Sequence, residues 1–304
     1  MATYPQKVDL TAADIQRLMQ SPDFISRRMQ TLGDRRYIGT MLLKGRQDSV
    51  GGAVGYELAE GIFADDAPEV VAPGAEYTLT TIGDGPAGTA RVAKWGKDSI
   101  VTDESIKRRK IDPVNKGLLK LANSAGLVID KSCTSVIASA VTSSMTAKVK
   151  WTDAGADILR DVMLAQAAIT GLNMGYQPDT LLVDDTVWAY LASDKTISNA
   201  MAREDKTNPV YSGRFEVLAG LEVVHVPGAN LPGGSGTSAY MFDSNQLGFI
   251  AKEDLGGGYQ SAGDLVETKV IRDELTDAWR IRARANFAPV VTDPGAGISI
   301  KGVA

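Results

Sequence analysis

The chain has 304 residues, of which 44% are hydrophobic and 23% charged, and its formal net charge is −5. That is enough apolar material for one large domain or two, and the acidic total excludes a globally basic nucleic-acid-binding protein. With one cysteine and one histidine, the chain has no intramolecular disulfide or thiolate-cluster zinc site, and little is left for a histidine-based triad.

The first stretch, MATYPQKVDLTAADIQ, lacks the charged-then-apolar pattern of a secretory leader, and nowhere do about 18 apolar residues run together. The expectation is a protein made and kept in a cytosol, with no membrane partner. Residues 1–49 read as a polar arm with short helices. In SPDFISRRMQTLG, Ser21 suits a cap, Pro22 the first helical position and Gly33 the end. The arm carries Arg17, Arg27, Arg28, Arg35 and Arg36 and too few large apolar residues to fold alone, so it should dock on something.

Residues 50–90 mix short alternating runs with glycine and proline, the pattern of an extended β-hairpin. The charge here is one-sided. Seven acids (Glu57, Glu60, Asp65, Asp66, Glu69, Glu76, Asp84) stand without a lysine or arginine, whereas residues 91–110 carry seven bases and three acids. Such a loop is either simply solvated or built to meet a basic surface on another subunit.

An alternating strand, RVAKWGKDSIVT, then leads through a basic cluster into a long helix. Asp112 is placed to cap it and Pro113 to occupy its first turn. Val114, Leu118, Leu121, Ala125, Val128, Val136 and Ala140 recur at three- to four-residue spacing, one apolar stripe. Unbroken from Pro113 to Val141, the helix would be about 43 Å long at 1.5 Å per residue. Gly117 and Gly126 weaken it slightly or admit another backbone. Cys133, in DKSCTSVIAS, reads as a small buried helical residue.

From about residue 152 the pattern becomes that of a compact α/β module. TDAGADILRDVMLAQAAITG reads as a helix capped by Thr152 or Asp153, DTLLVDD as a buried strand, and DTVWAYLASDKTISNAMA as two short helices. GRFEVLAGLEVVHVPG reads as a hairpin about Ala219 and Gly220, with His225 a strand residue, and SAYMFDSNQLGFIAKED as two further strands. DLVETKVIRDELTDAWRIRARANFAPVV alternates on both sides of a turn near Thr276 and Asp277, a two-stranded ribbon with one wet face.

No catalytic constellation emerges. The glycine-rich stretches GDGPAG, PGGSG and DLGGGYQ lack the strand–glycine–helix order of a phosphate cradle. Asp184 and Asp185 are adjacent, which points their side chains apart in a strand, and precede TVWAYLA, where a helix wants a capping carboxylate. Lys107, Arg108, Arg109 and Lys110 have no interleaved aromatics, so they suit a solvated face, an intersubunit patch or weak electrostatic contact with phosphate. No catalytic, cofactor-binding or metal-binding residue is assigned.

The order of arm, acidic hairpin, long helix, α/β module and late ribbon resembles the major capsid proteins of tailed bacteriophages, the Hong Kong 97-type fold. The resemblance covers nearly the whole chain and is carried by VAKWGKDSIVTDESIKRR, by DTLLVDDTVWAYLAS with FEVLAGLEVVHVPG, and by WRIRARANFAPVVTDPGA. It is nearest to the short capsid proteins of phages infecting actinobacteria. It implies an α+β fold with an N-terminal arm at 1–49, an E-loop at 50–93, a P-domain with spine helix at 94–150, an A-domain at 151–251, and a returning P-domain ribbon with the C-terminus at 252–304.

The resemblance further implies many copies, as pentamers and hexamers, closing into an icosahedral head around double-stranded DNA. Assembly would take place in the host cytoplasm, without catalysis or cofactor. Arg27, Arg28, Arg35, Arg36, Tyr56, Glu57, Glu60, Phe63, Asp65, Asp66, Lys107, Arg108 and Arg109 are the candidate intersubunit contacts, with Leu58 and Ile62 as further apolar anchors. A portal, a decoration protein and non-specific contact with packaged DNA belong to the same picture. Because the scaffolding extension of about 100 residues that some relatives carry at their start is missing here, a separate scaffold protein is expected. Some relatives also cross-link an E-loop lysine to a neighbour's asparagine, but no lysine lies between Lys44 and Lys94, so a non-covalent shell is expected. The alternatives are an encapsulin-type nanocompartment shell and, from another class, a hydrolase relying on Asp184 and Asp185.

Overall fold

The computed structural model describes residues 11–33, 38–63, 69–77, 79, 85–153, 155–194, 196–197, 217–231 and 238–303. Helix α1, Ala12–Met19, opens with a capping box. The Thr11 hydroxyl accepts the Asp14 N–H at 3.3 Å while the Asp14 carboxylate accepts the Thr11 N–H at 3.1 Å, satisfying two otherwise unpaired donors. Helix α2 runs Pro22–Gly33, the limits its punctuation implies. Ile15, Met19, Ile25 and Met29 fall on one side of this helical pair and are almost fully buried. The arm therefore docks on its own chain, and its short third helix, α3 at Gly39–Leu42, adds Leu42 and Leu43 to the same core.

Strands β1 (Gly45–Asp48), β2 (Ala53–Glu57), β3 (Ala87–Arg91) and β4 (Ala93–Thr102) follow. β2 and β3 pair antiparallel from Ala53 opposite Arg91 to Glu57 opposite Ala87, which is the base of the expected hairpin. β4 hands directly to α4, Asp103–Arg109, whose first turn is capped by the Thr102 hydroxyl. Lys110, at φ 54°, reverses the chain into α5, Asp112–Ala140.

At 29 residues α5 is close to the expected rod, but Asp112 does not cap it. Ile111 holds the capping position without a side-chain bond, since the turn at Lys110 delivers the chain already helical and Pro113 has no N–H to serve. The buried stripe also differs from the expected one. It runs through Val114, Leu118, Leu121, Ala122, Ile129, Cys133 and Ile137, while Ala125, Val128, Val136 and Ala140 are only half-buried. The helix packs on β4, the central ribbon strand, α3 and α2; Gly117 near its start faces Ser99 and Val101, whereas Ile129 and Cys133 face Gly39 of α3, so the covered face winds around the axis.

The α/β module begins with β5 (Ser144–Thr146) and α6 (Ile158–Thr170). α6 is capped by Asp157, neither by Thr152 nor by Asp153. Residues 150–153 form a turn that returns the buried Trp151 to the helix, where its indole N–H donates to Asp161 at 3.1 Å. Next come β6 (Thr180–Asp184), α7 (Asp185–Ser193), β7 (Val217–Leu218) and β8 (Leu221–Val226). β7 and β8 join through Ala219 at φ 52° and Gly220 at φ 84°, the left-handed pair of a tight hairpin turn. Most of the second short helix expected after α7 lies outside the described residues, as does PGGSG.

The remaining strands are β9 (Ser238–Phe242), β10 (Gly248–Lys252), β11 (Gln260–Ser261), β12 (Val266–Asp273), β13 (Ala278–Val291) and β14 (Gly297–Lys301). One six-stranded sheet runs β5-β14-β9-β6-β8-β7. The other is organised on β13, which pairs with β12, β10 and β4, while β1 lies parallel to β10 and β11 pairs with β12.

Pairing thus crosses two of the expected boundaries: β10, placed with the α/β module, belongs to the ribbon's sheet, and β14, placed with the ribbon, closes the module's sheet between β5 and β9. The connections that change sheet are fixed by buried carboxylates. Asp243 accepts the Gln177 and Asn245 N–H groups, and Asp293 accepts the Tyr176 hydroxyl at 2.9 Å.

The face of the ribbon away from α5 carries an ion-pair ladder. Arg282 meets Asp98 of β4 through two 2.7 Å bonds, Arg284 meets Glu267 at 2.6 Å, and Arg280 meets Asp273 at 3.1 Å. Arg284 is 5% exposed and its guanidinium lies 3.5 Å from the centre of the Tyr259 ring. Arg272 clamps Asp103 at the start of α4 with two bonds, fixing the ribbon tip to the entrance of the long helix.

Candidate functional site

The neck of the acidic hairpin is built to hold a direction. Gly51 and Gly52, both at positive φ, turn the chain out of β1, and the Gly52 N–H is taken by Glu253 at 2.9 Å. Val54 packs with Ala251, Ala288 and Val290 in a small second core, which Tyr56 covers. Beyond β2, Leu58 donates to Pro86 O at 3.1 Å and Ala59 to Thr292 O at 2.8 Å. Gly85 is required there, since a Cβ would stand 2.1 Å from the Leu58 carbonyl oxygen.

Past this neck the large apolar side chains among the described residues are left without cover. Ile62 and Phe63 are each 61% exposed, Tyr77 79% and Leu79 92%, beside the exposed carboxylates of Glu57 and Glu60. Large apolar side chains in one loop with acids and no bases form a surface made for a partner. Tyr56 and Leu58 differ from Phe63: they are half-buried against their own chain, Tyr56 lying over Gly88. Asp65 and Asp66 lie outside the described residues.

The basic candidates lie elsewhere. Lys107, Arg108 and Arg109 are exposed in the last turn of α4, where cations are favoured by the helix dipole. Arg27 and Arg28 are exposed on α2, and Arg35 and Arg36 lie outside the described residues. β4 separates the two charges. Its start, Ala93, pairs with Phe287 near the hairpin neck, and its end, Thr102, pairs with Ala278 beside α4. At about 3.3 Å per residue that strand spans roughly 30 Å. The structure therefore does not bring the acidic neck and the α4 bases together within one chain; it sets them at opposite ends of a rigid sheet. Unlike, complementary patches at two ends are what a head-to-tail contact between copies uses.

The residues weighed for chemistry have structural roles. Asp184 caps α7, accepting the Val187 N–H at 2.7 Å, and Asp185 takes His225 Nε2 at 2.5 Å and the Gly228 N–H at 3.2 Å. His225 leaves its strand outward, next to Trp188 at 5.6 Å between ring centres. Cys133 is fully buried, and burial pushes its thiol up to about 12. In DLGGGYQ the backbone carbonyls of Gly256 and Gly257 accept from Arg284 and Lys269, so this turn offers acceptors where a phosphate needs donors. Among the described residues no cluster of three metal-ligating side chains occurs, and no helix is long and apolar enough to cross a membrane.

Residues 87–300, more than half of the chain, match the family of phage capsid proteins. The chain belongs to that family. Its role is accordingly structural and is exercised by assembly with further copies into a shell. No curated protein matches the chain.

Solved structures share the mixed helix-and-sheet fold at low identity. The capsid of cyanophage P-SCSP1u is 13% identical with a TM-score of 0.64, over 86% of this chain and 86% of that one. Mycobacterium phage Che8 is 16% identical with a TM-score of 0.58, over 88% and 92%. A virus-like particle from Pyrococcus furiosus is 11% identical with a TM-score of 0.60, over 92% and 98%.

Sequence reasoning missed β1, β5 and β14, which are three to five residues long. ISI at 298–300 carried a short alternating signal that could have revealed β14.

Proposed function

We propose that this protein is the major capsid protein of a tailed bacteriophage, with many copies closing as pentamers and hexamers into an icosahedral head around double-stranded DNA. The observation that carries this reading is the exposed acidic and apolar loop held by a rigid neck at one end of β4, with uncovered bases at the other end, in a chain of the phage capsid family. On this reading residues 50–93 are the E-loop, α5 is the spine of the P-domain, and the sheet containing β6 and β9 is the core of the A-domain. The ribbon β12-β13 returns to the P-domain and takes β10 with it.

Cohesion would come from apolar anchors such as Ile62 and Phe63. Exposed ion pairs add only about 0–1 kcal/mol each and serve register. A separate scaffold protein, a portal and a decoration protein complete the head, assembly takes place in the host cytoplasm, and the shell makes non-specific contact with the packaged DNA. An encapsulin-type compartment would close a similar shell around protein cargo; nuclease-protected DNA inside particles separates the two.

Changing Glu57, Glu60, Asp65 and Asp66 together to lysine tests the loop's part in this reading. The circular dichroism and melting temperature of the subunit should stay those of the parent, while fast-sedimenting particles disappear. Particles of normal yield from that variant would show the acidity to be incidental.

A further inference from the structure

The two faces of the ribbon sheet carry charge in different ways. On the face away from α5, Arg280, Arg282 and Arg284 are each matched by a carboxylate of a neighbouring strand. The other face is covered by α5, which packs on β4 and β13, and by α2, which packs on α5, β12 and β11. On the outward side of this helical layer the cations are unmatched. Lys116, Lys120 and Lys131 recur with Asn123 and Leu127 at three- or four-residue spacing, all exposed, so they form one stripe along α5, about 22 Å long at 1.5 Å per residue. Lys97 joins the stripe from β4, beside Leu127, and Arg27 and Arg28 are exposed on α2. None of these six cations forms an ion pair among the described residues. The exposed acids of the two helices are Asp23 and Asp112, one in each first turn, and Asp98, next to Lys97, is held on the other face by Arg282.

We propose that this surface binds duplex DNA through its phosphates, without regard to base sequence. The proposal rests on the shell reading above and names the part of the chain that meets the packaged genome. Six unpaired cations on one helical layer, in a chain whose net charge is −5, make a local positive field of the kind a polyanion seeks. Neither α2 nor α5 offers a row of aromatic side chains for unstacked bases, since α5 has no aromatic residue and α2 only Phe24, which selects a duplex over a single strand. The α5 cations are all lysines, point charges that need no fixed partner geometry.

A duplex carries about one negative charge per 1.7 Å of its axis, so a stripe of this length meets phosphate wherever it lands and needs no register. Each phosphate neutralised releases counterion, which lowers the slope of log K against log salt by about 0.9; six engaged cations give a slope of about −5.

Fluorescence anisotropy of a labelled random-sequence duplex, titrated with the full-length protein over a range of salt concentrations, tests this. The triple variant Lys116→Gln, Lys120→Gln, Lys131→Gln should keep the circular dichroism of the parent and flatten the salt slope by about 2–3, and each single substitution should flatten it by about 0.9, so a triple variant that fails to fold leaves the test intact. Replacing Lys107, Arg108 and Arg109 with glutamine should leave the slope as it was. No binding by the parent, an unchanged slope in the α5 variants, or an equal loss in the α4 variant, which would mark a diffuse charge effect, would each overturn the proposal. Polyglutamate at the same charge concentration should compete at least tenfold less well than unlabelled duplex; equal competition would point to an acidic protein partner and overturn it too. Because binding is read on the protein in solution, failure of the parent to form any shell is a separate outcome, counting against the shell reading itself.

Discussion

Asp130 shows how one buried polar side chain joins separate parts of the chain. It is 5% exposed on α5 and accepts the Gly39 N–H at 2.7 Å, while Thr134, one turn on, donates to the Asn230 carbonyl at 2.6 Å. The arm and the α/β module are thereby tied to the same turn of the long helix. Burial raises the Asp130 carboxyl above its ordinary value, against the opposing pull of the Gly39 and Ile38 N–H groups.

A raised carboxyl gives stability that is full below its unfolded value and lost as pH rises through the folded one. Asp98 and Asp103 act in the opposite sense, because bonds from Arg282 and Arg272 lower them; their contribution is present above the ordinary carboxylate value and lost as pH falls below it. Asp130→Asn should therefore melt higher than the parent at pH 7, with the gap closing towards pH 4. Melting curves of assembly-blocked subunits across that range check this, and a gap that widens in acid would contradict it. The partner of Asp130 could not be read from sequence, since Gly39 lies 91 positions away.

At the scale of elements, local chemistry accounts for what was legible. Pro22 and Gly33 bounded α2, Ala219 and Gly220 made the β7-β8 turn, and alternation gave the β12-β13 ribbon, because each signal acts over a few neighbouring residues. The winding stripe of α5 was not legible, because it depends on which elements the helix meets along its length. This distinction is measurable. Ile129→Ala removes a fully buried side chain and should cost about 2–5 kcal/mol, whereas Val128→Ala, at a half-buried position, should cost clearly less. Denaturant unfolding of the two variants decides the matter; equal losses would restore the stripe expected from spacing alone. The pairing of strands across the expected limits of the α/β module has the same origin: β10 and β14 look like ordinary strands, and only long-range pairing assigns each to its sheet.

For the whole molecule, the charge asymmetry between residues 50–90 and 91–110 was visible in sequence. What the structure adds is placement: the acidic neck at Glu57 and the α4 bases stand near opposite ends of β4, too far apart to pair within one chain. The loop has no lysine between Lys44 and Lys94, so contacts between copies should be non-covalent. Boiled and reduced particles should run as 32 kDa chains on a denaturing gel; a ladder of multimers would refute this.

The most direct test of the central claim is negative-stain electron microscopy of the expressed protein, alone and together with a scaffold protein encoded beside it. Closed shells, or rings of five and six subunits, are the predicted result. A monomer that persists under both conditions would contradict the account.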